Sequence, residues 1–457
     1  MDRMLIPVLL AALTSCGPQP FDEYWPDPSP LGAGFDAARP PRDPDSPSAQ
    51  PPPPPDPTGD LGIADAMALT LLDSPELAVF AWGIRAQEAA LIQAAMYPNP
   101  QLAVEIEDFG GSGDFSGFGA SETTIALGQT ILLGGKLSKR VAVARLERDL
   151  AGWDYEAARV DTLTRLARAF VQTLADQERL ALAQEIEALA HRIFSAVSER
   201  VEAGKVSPVD RTRARIELAQ ATLDRQRAQR TLTAARHRLA ANWGSVSPGF
   251  DRAVGKLNRV RAPPPVEELA SRLQHNPDLA RWATELALRR AVFSLARADR
   301  VPDVTLFAGP KLLQGTNETS FTAGASIPLP LLNRNQGGIL EARVRHAQAG
   351  TLRRAAEVRV RTDLATSHQA LDAAYVEILA IRDDVEPSAR VAFEAAEEAF
   401  RQGKIGALEL LDSQRTLFGV RRQYVDALAA YHQAVIAVER LIGSPLHESL
   451  HDQRVAP

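Results

Sequence analysis

Three places in this 457-residue sequence set reactive side chains at spacings that could do chemistry. His447-Glu-Ser-Leu-His451 puts two imidazoles one helical turn apart with a carboxylate between them, the pattern that holds zinc and supplies a general base in metalloproteases. It stands in the C-terminal tail, where only Asp452 is placed as a further ligand and no surrounding domain forms a cleft. Gly134-Gly-Lys136 has the look of a phosphate-cradling loop, but no glycine stands at the required upstream place and Leu137 replaces the Ser or Thr. The third is Cys16, the one cysteine, so no intramolecular disulfide can form. The other histidines, His191, His237, His275, His346, His368 and His432, are scattered through helical segments without ligand spacing. No catalytic constellation and no metal-ligating set emerges, and the sequence reads as a protein that is not an enzyme and needs no cofactor.

Cys16 acquires a different chemistry from what precedes it. Residues 4–15 form an apolar stretch of about 12 residues, too short to span a bilayer and suited to a signal peptide. Leu13-Thr14-Ser15-Cys16 resembles a bacterial lipobox, which implies a signal peptide over 1–15 and a covalent lipid on Cys16. Gly17 follows the cysteine, and by the same resemblance the lack of Asp there permits export to the outer membrane. Stable anchoring takes two or more acyl chains. Proline, aspartate, serine and glycine then dominate to residue 58, including Pro51 to Pro55, so 16–60 reads as lipid anchor plus a semi-rigid, largely unstructured tether.

The bulk composition, 45% hydrophobic and 24% charged, is that of a folded protein rather than a disordered tail or a bundle of membrane helices. With a net charge of -6 and no long Lys/Arg run, nucleic acid is excluded as a partner class.

The elements that carry these residues repeat. Ser74-Pro-Glu-Leu77 answers to Asn276-Pro-Asp-Leu279, Tyr97-Pro-Asn-Pro100 to the segment from Arg300, Leu133-Gly-Gly-Lys136 to Leu332-Asn-Arg-Asn335, and Val201-Glu-Ala-Gly204-Lys205 to Phe400-Arg-Gln-Gly403-Lys404. The chain divides into a first repeat over 61–244, a connector over 245–265, a second repeat over 266–443 and a tail over 444–457. Each repeat holds one hairpin of alternating strands. Leu102, Val104 and Ile106 oppose Ala103, Glu105 and Glu107, while Thr123, Ile125, Leu127 and Gln129 make the weaker second strand. In the second repeat Val304, Leu306 and Ala308 oppose Asp303, Thr305 and Phe307, and Phe321, Ala323 and Ala325 oppose Ser320, Thr322 and Gly324.

One apolar face over about 9 to 11 residues suits a transmembrane barrel, although a soluble sheet packed on helices would show the same alternation. Four strands cannot close a barrel, and an open edge cannot sit in lipid, so membrane insertion would force oligomerisation. Two copies give eight strands and three give twelve, and the alternation does not choose.

No proline interrupts 101–207, so a helix from near Gly135 to near Ala203 could reach on the order of 100 Å at 1.5 Å per residue. The returning helix carries a seam of Ala214, Leu218, Ala221, Arg225, Ala228, Leu232, Ala235 and Leu239, and its counterpart one of Leu417, Val420, Tyr424, Ala427, Tyr431, Ala434 and Val438. Shorter helices are expected over about 61–96 and 266–300, and Pro387 should kink the second long helix without ending it. At the first tip, Gly204 suits a left-handed stop, Ser207 a cap, Pro208 the first turn and Asp210 a capping box; Gly403, Gly406 and Glu409 repeat the layout, with Asp412 beyond the capping positions.

This order of helix, hairpin, long helix, tip and helix, repeated once, resembles the TolC-type outer-membrane efflux family over nearly all of 61–443. Pro98-Asn-Pro100 and Gly134-Gly-Lys136 strengthen the resemblance, and Ser326-Ile-Pro-Leu-Pro330-Leu-Leu-Asn-Arg334-Asn-Gln-Gly337 with Gly128-Gln-Thr-Ile-Leu-Leu-Gly-Gly-Lys136 looks most like its heavy-metal (CzcC-like) branch. The resemblance implies a mainly α fold with a small transmembrane β part. Its long antiparallel coiled-coil helices would form two tandem repeats, each with one β-hairpin, and three copies would build a twelve-stranded barrel on a helical periplasmic tunnel. It also implies a homotrimer that meets outer-membrane lipid, a periplasmic adaptor and a proton-driven inner-membrane pump of the RND type, exporting heavy-metal cations. Multidrug efflux and type I secretion fit the same channel; a periplasmic adaptor or a structural coiled-coil lipoprotein would lack two matched hairpins. By resemblance Glu409 and Asp412 would form acidic rings at the periplasmic gate. Gly204, Lys205, Gly403 and Lys404 are the candidate adaptor-contact tips.

Overall fold

The computed structural model describes residues 24–46 and 56–446. Cys16, the signal stretch 1–15, Pro51 to Pro55, His447 and His451 lie outside the described residues. The elements run β1 (Gly59–Gly62), α1 (Ile63–Asp73), α2 (Pro75–Ala94), β2 (Gln101–Glu107), β3 (Glu122–Ile131), α3 (Lys136–Glu202), α4 (Pro208–Ala240), β4 (Phe250–Val254), α5 (Val266–Ser271), α6 (Pro277–Ala298), β5 (Val304–Leu313), β6 (Glu318–Ser326), α7 (Gln336–Ala380), a π segment (Ile381–Val385), α8 (Glu386–Arg401) and α9 (Ala407–Ile442). The chain is mainly helical, and α3 alone runs 67 residues without a break. No single helix among the described residues is long and apolar enough to cross a bilayer.

Two compact units form, each from several stretches of the described chain: one from 24–26, 83–153 and 281–355, the other from 27–46, 56–82, 154–280 and 356–446. The first unit holds a four-stranded antiparallel sheet in the order β2-β3-β5-β6. The β3–β5 ladder is interrupted between Thr124↔Lys311 and Leu127↔Ala308 and resumes in the same register. The gap falls at Gly309-Pro310, where the proline has no N–H to give. A Cβ at Gly309 would collide with the Ile125 carbonyl oxygen, so glycine is needed for the strands to approach there.

In the second unit the helices meet along the predicted seams. Ala214, Ala221, Leu232, Ala235 and Leu239 of α4 are buried and Leu218, Arg225 and Ala228 half-buried; on α9 Leu417, Ala427, Tyr431, Ala434 and Val438 are buried. One large apolar cluster includes Leu61, Phe170, Trp243, Phe250, Leu371 and Val438, and a smaller one surrounds Val197, Phe400 and Leu410.

Several expectations are corrected. The single helix expected from Leu61 is a strand plus two helices: Leu61 pairs in β1 with Ala253 of β4, a parallel two-stranded sheet within what read as loop, and Ser74-Pro75 separates α1 from α2 because a proline nitrogen cannot continue the ladder. The helix expected over 266–300 likewise breaks, through a 3-10 turn at 272–275. Pro387, by contrast, does not end the helix, as expected: it sits in the first turn of α8 just after the π segment, and the chain stays helical by widening one turn ahead of the ring.

The stretch expected to be a loose tether has no helix or strand over 27–46, yet it is packed: Ser29 donates through N and Oγ to Glu156 at 2.8 and 3.2 Å, and its carbonyl accepts from Arg159 at 2.9 Å. Glu156 and Arg159 pair at 3.0 Å while almost fully buried, and the Leu31 N–H donates to the Gly443 carbonyl at 3.1 Å.

Candidate channel wall and tips

The sheet of the first unit is amphipathic across all four strands. Cross-strand pairing aligns Leu102, Leu127, Ala308 and Ala323 on one face, with Val104, Ile125, Leu306 and Ala325 beside them. The opposite face carries Glu105, Glu107, Glu122, Thr124, Lys311 and Ser320. Lys311 bridges Glu107 at 3.4 Å and also pairs with Glu122, and the hydroxyls of Thr130 and Thr305 lie 3.0 Å apart. A sheet packed on helices would hide its apolar face, but here Val104 is 61% and Phe321 85% exposed. Both outer strands, β2 and β6, present open edges. Placed in a bilayer, such a sheet would need lipid on its apolar face, water on the other and further strands at its edges.

Where β3 gives way to α3, Gly134 and Gly135 both take left-handed conformations, φ +68° and +67°, so the glycines of the phosphate-loop fragment serve a tight turn. Lys136 is buried, and its ammonium donates to Asp303 at 2.8 Å, an acid that also accepts from the Leu133 N–H at 3.0 Å. This pair fixes the entry of α3 against the start of β5. Sequence reading missed it, because the partners are 167 residues apart.

The two tips share one backbone solution. Lys205 N–H donates to Arg200 O at 2.9 Å and Gly204 N–H to Val201 O at 3.0 Å; Lys404 and Gly403 repeat this with Ala399 O at 2.8 Å and Phe400 O at 3.0 Å. Gly204 (φ +69°) and Gly403 (φ +72°) supply the left-handed residue that this double carbonyl cap demands. Ser207 caps α4 as expected, its Oγ accepting from Val209 N at 3.2 Å, with Pro208 in the first turn. Asp210 departs from the capping box: its carboxylate turns to Arg213, 3.9 Å away. At the second tip Gly406 is the N-cap of α9 and has no side chain to cap with. Glu409 and Asp412 are exposed, three residues apart on one helical face, and no cation among the described residues lies within 4 Å of either. Glu409 folds back so that a Cβ at Gly406 would sit 2.9 Å from its Oε2. The first tip's acid is compensated and the second tip's acids are not. Lys205 and Lys404 are exposed beside their glycines.

Residues without a sequence signal tie these helices together. Arg200 lies 4.2 Å over the Phe400 ring and donates to the Phe400 carbonyl at 2.8 Å, joining the two tips. Arg415 pairs with Glu217, Arg179 with Asp426 at 2.6 Å and Arg421 with Glu185 at 3.3 Å, so α9 is linked by charge to both α3 and α4. Among the described residues no group of His, Cys, Asp and Glu could hold a metal. His368 and His432 instead meet the connector, their Nε2 atoms 2.9 and 2.8 Å from the carbonyls of Pro264 and Leu257.

Residues 67–245 and 269–444 match the family described as outer membrane efflux protein. The cobalt-zinc-cadmium resistance protein CzcC of Cupriavidus metallidurans is 33% identical over 87% of this chain and 93% of its own length. A nickel-cobalt-cadmium resistance protein of Alcaligenes xylosoxydans is 26% identical over 64% of this chain and 68% of its own. Among solved structures, the outer membrane protein VceC of Vibrio cholerae superposes with a TM-score of 0.71 at 18% identity, covering 84% of this chain and 97% of that one.

Proposed function

The chain belongs to the outer membrane efflux protein family, and from that premise we propose that it assembles as a homotrimer that carries divalent heavy-metal cations out of the cell. It is the outer-membrane channel of a tripartite efflux system and not an enzyme. The observation that carries the oligomer is the four-stranded amphipathic sheet with two open edges, and membership of the family supports three copies rather than two. Three copies give twelve strands, β6 of one copy meeting β2 of the next, and every edge N–H and C=O then has a partner in the membrane.

The metal cargo is supported by the 33% identity, over nearly the whole chain, to a protein named for cobalt, zinc and cadmium resistance. The acids of the second tip fit that cargo. Around a threefold axis Glu409 and Asp412 become two stacked acidic rings that draw cations in and repel one another, so that opening couples to charge. A pore for metal needs such weak contacts rather than a chelating cage. Gly204, Lys205, Gly403 and Lys404 form the surface that meets the periplasmic adaptor, which connects to an RND-type pump. A lipid on Cys16 anchors the mature N-terminus in the outer membrane.

A strain lacking the gene tests the cargo. Sensitivity confined to zinc, cobalt, cadmium, copper or silver, and restored by the intact gene, is the expected result; sensitivity confined to organic drugs and detergents would leave the channel and overturn the cargo.

A further inference from the structure

The second unit encloses a cavity of about 180 Å³ that the channel reading does not use. Its walls are apolar and come from α1, α3 and α9, among them Met67, Phe170, Leu174 and Val435. The space is somewhat larger than a cavity that takes up benzene in water, so it suits one ring or one short chain.

The mouth has a different character. The connector after β4 crosses it and contributes Lys256, Arg259 and Arg261, three exposed cations within six residues. No carboxylate among the described residues lies within 4 Å of any of them, whereas Arg252 just before them is paired with Asp60 at 2.8 Å. This loop is held in place. The Tyr431 hydroxyl donates to Arg261 O at 2.8 Å and accepts from Arg261 N at 3.0 Å, and His432 holds the Leu257 carbonyl at 2.8 Å. A rigid loop that presents unneutralised cations over an apolar cavity is a small-molecule site in outline: apolar walls with a few fixed polar groups.

The cavity's one acid among the lining residues is less fully charged near neutral pH than an ordinary carboxylate, so it opposes an anion at the mouth less. Glu439 reaches the cavity with its Oε1 accepting from the Leu446 N–H at 2.9 Å. Burial pushes its carboxyl up to about 7, and no cation stands near enough to hold it down. Glu439 is half-buried, whereas the three cations are exposed.

We propose that this cavity binds a small anionic amphiphile, a single-chain carboxylic acid whose apolar end enters between α1, α3 and α9 while its head stays at the mouth with Lys256, Arg259 and Arg261. The volume favours one chain over a two-chain lipid.

The full-length protein in lipid nanodiscs, titrated calorimetrically against empty discs, tests this with octanoate, octylammonium, octanol and dihexanoyl-phosphatidylglycerol. Octanoate is expected to saturate and to bind at least tenfold more tightly than octylammonium or the two-chain lipid. Replacing all three cations together (K256Q, R259Q and R261Q) should weaken octanoate at least tenfold and leave octanol unchanged. Val171→Trp, which fills the cavity, should remove both. The triple variant alters only exposed side chains, so it decides the matter even if the tryptophan variant does not fold. Equal binding of octanoate and octylammonium, tighter binding of the two-chain lipid, unchanged octanoate binding by the triple variant, or no saturable signal above empty discs would overturn the site.

Discussion

Glu439 makes the stability of the second unit depend on pH in a direction that can be stated in advance. Its carboxyl titrates at about 7 in the folded chain against an ordinary value of 4.5, because desolvation disfavours its charged form and its one polar contact, the Leu446 N–H, only partly offsets that. A raised carboxyl is protonated in the folded state while the unfolded chain has already released its proton. The contribution is therefore fully present below pH 4.5 and lost as pH rises through 7. That rise from 4.5 to about 7 corresponds to roughly 3 kcal/mol.

Glu439→Gln keeps an oxygen acceptor for Leu446 and removes the titration. It should come within about 1 kcal/mol of the parent near pH 5 and exceed it by up to about 3 kcal/mol at pH 8. Urea unfolding followed by helical circular dichroism at pH 5, 6, 7 and 8 gives the comparison. Parallel curves for the two proteins would refute the assignment of this pH dependence to Glu439.

Other consequences are local. Asp303→Ala strands the buried Lys136 ammonium and should cost about 3–5 kcal/mol, read as a lower trimer-dissociation temperature, while the double change with Lys136→Met should recover most of it. Val104→Arg places a charge on the apolar face at mid-strand and should cost about 2–4 kcal/mol of barrel stability, whereas Glu105→Arg on the opposite face should leave assembly intact; equal effects would argue against lipid on the Val104 side. Neutralising Glu409 and Asp412 (E409Q with D412N) should raise resting conductance or reduce cation preference in a planar bilayer, and an unchanged channel would remove both acids from the gate.

Much of this architecture could be read from the residues because it depends on short periods. Alternation along Leu102, Val104 and Ile106 assigns the apolar face with no knowledge of the partner strand. The four-three spacing of the α4 and α9 seams marks the residues that become buried, and Gly204 and Gly403 declare the tips because few other residues adopt a left-handed stop.

What was not legible depends on distance along the chain. The β1–β4 pair joins four- and five-residue strands nearly 200 residues apart, too short for any pattern to show. Arg200 over Phe400, Lys136 on Asp303 and Glu156 with Arg159 on Ser29 are ordinary charged or aromatic residues until the fold brings them together. At Asp210 a local rule met a local competitor, for Arg213 one turn away takes the carboxylate that a capping box would use. The gate acids lie between these cases: their spacing is visible in sequence, but the absence of a neutralising cation around Glu409 and Asp412, among the described residues, emerges only in three dimensions.

That the sheet of one chain is a third of a closed transmembrane barrel is tested most directly by the conductance of the purified protein. Detergent-extracted protein that resists heat as a trimer and adds discrete, cation-preferring conductance steps to a planar bilayer is the predicted result. Protein that remains monomeric, or trimers that insert without conducting even after Glu409 and Asp412 are neutralised, would contradict it.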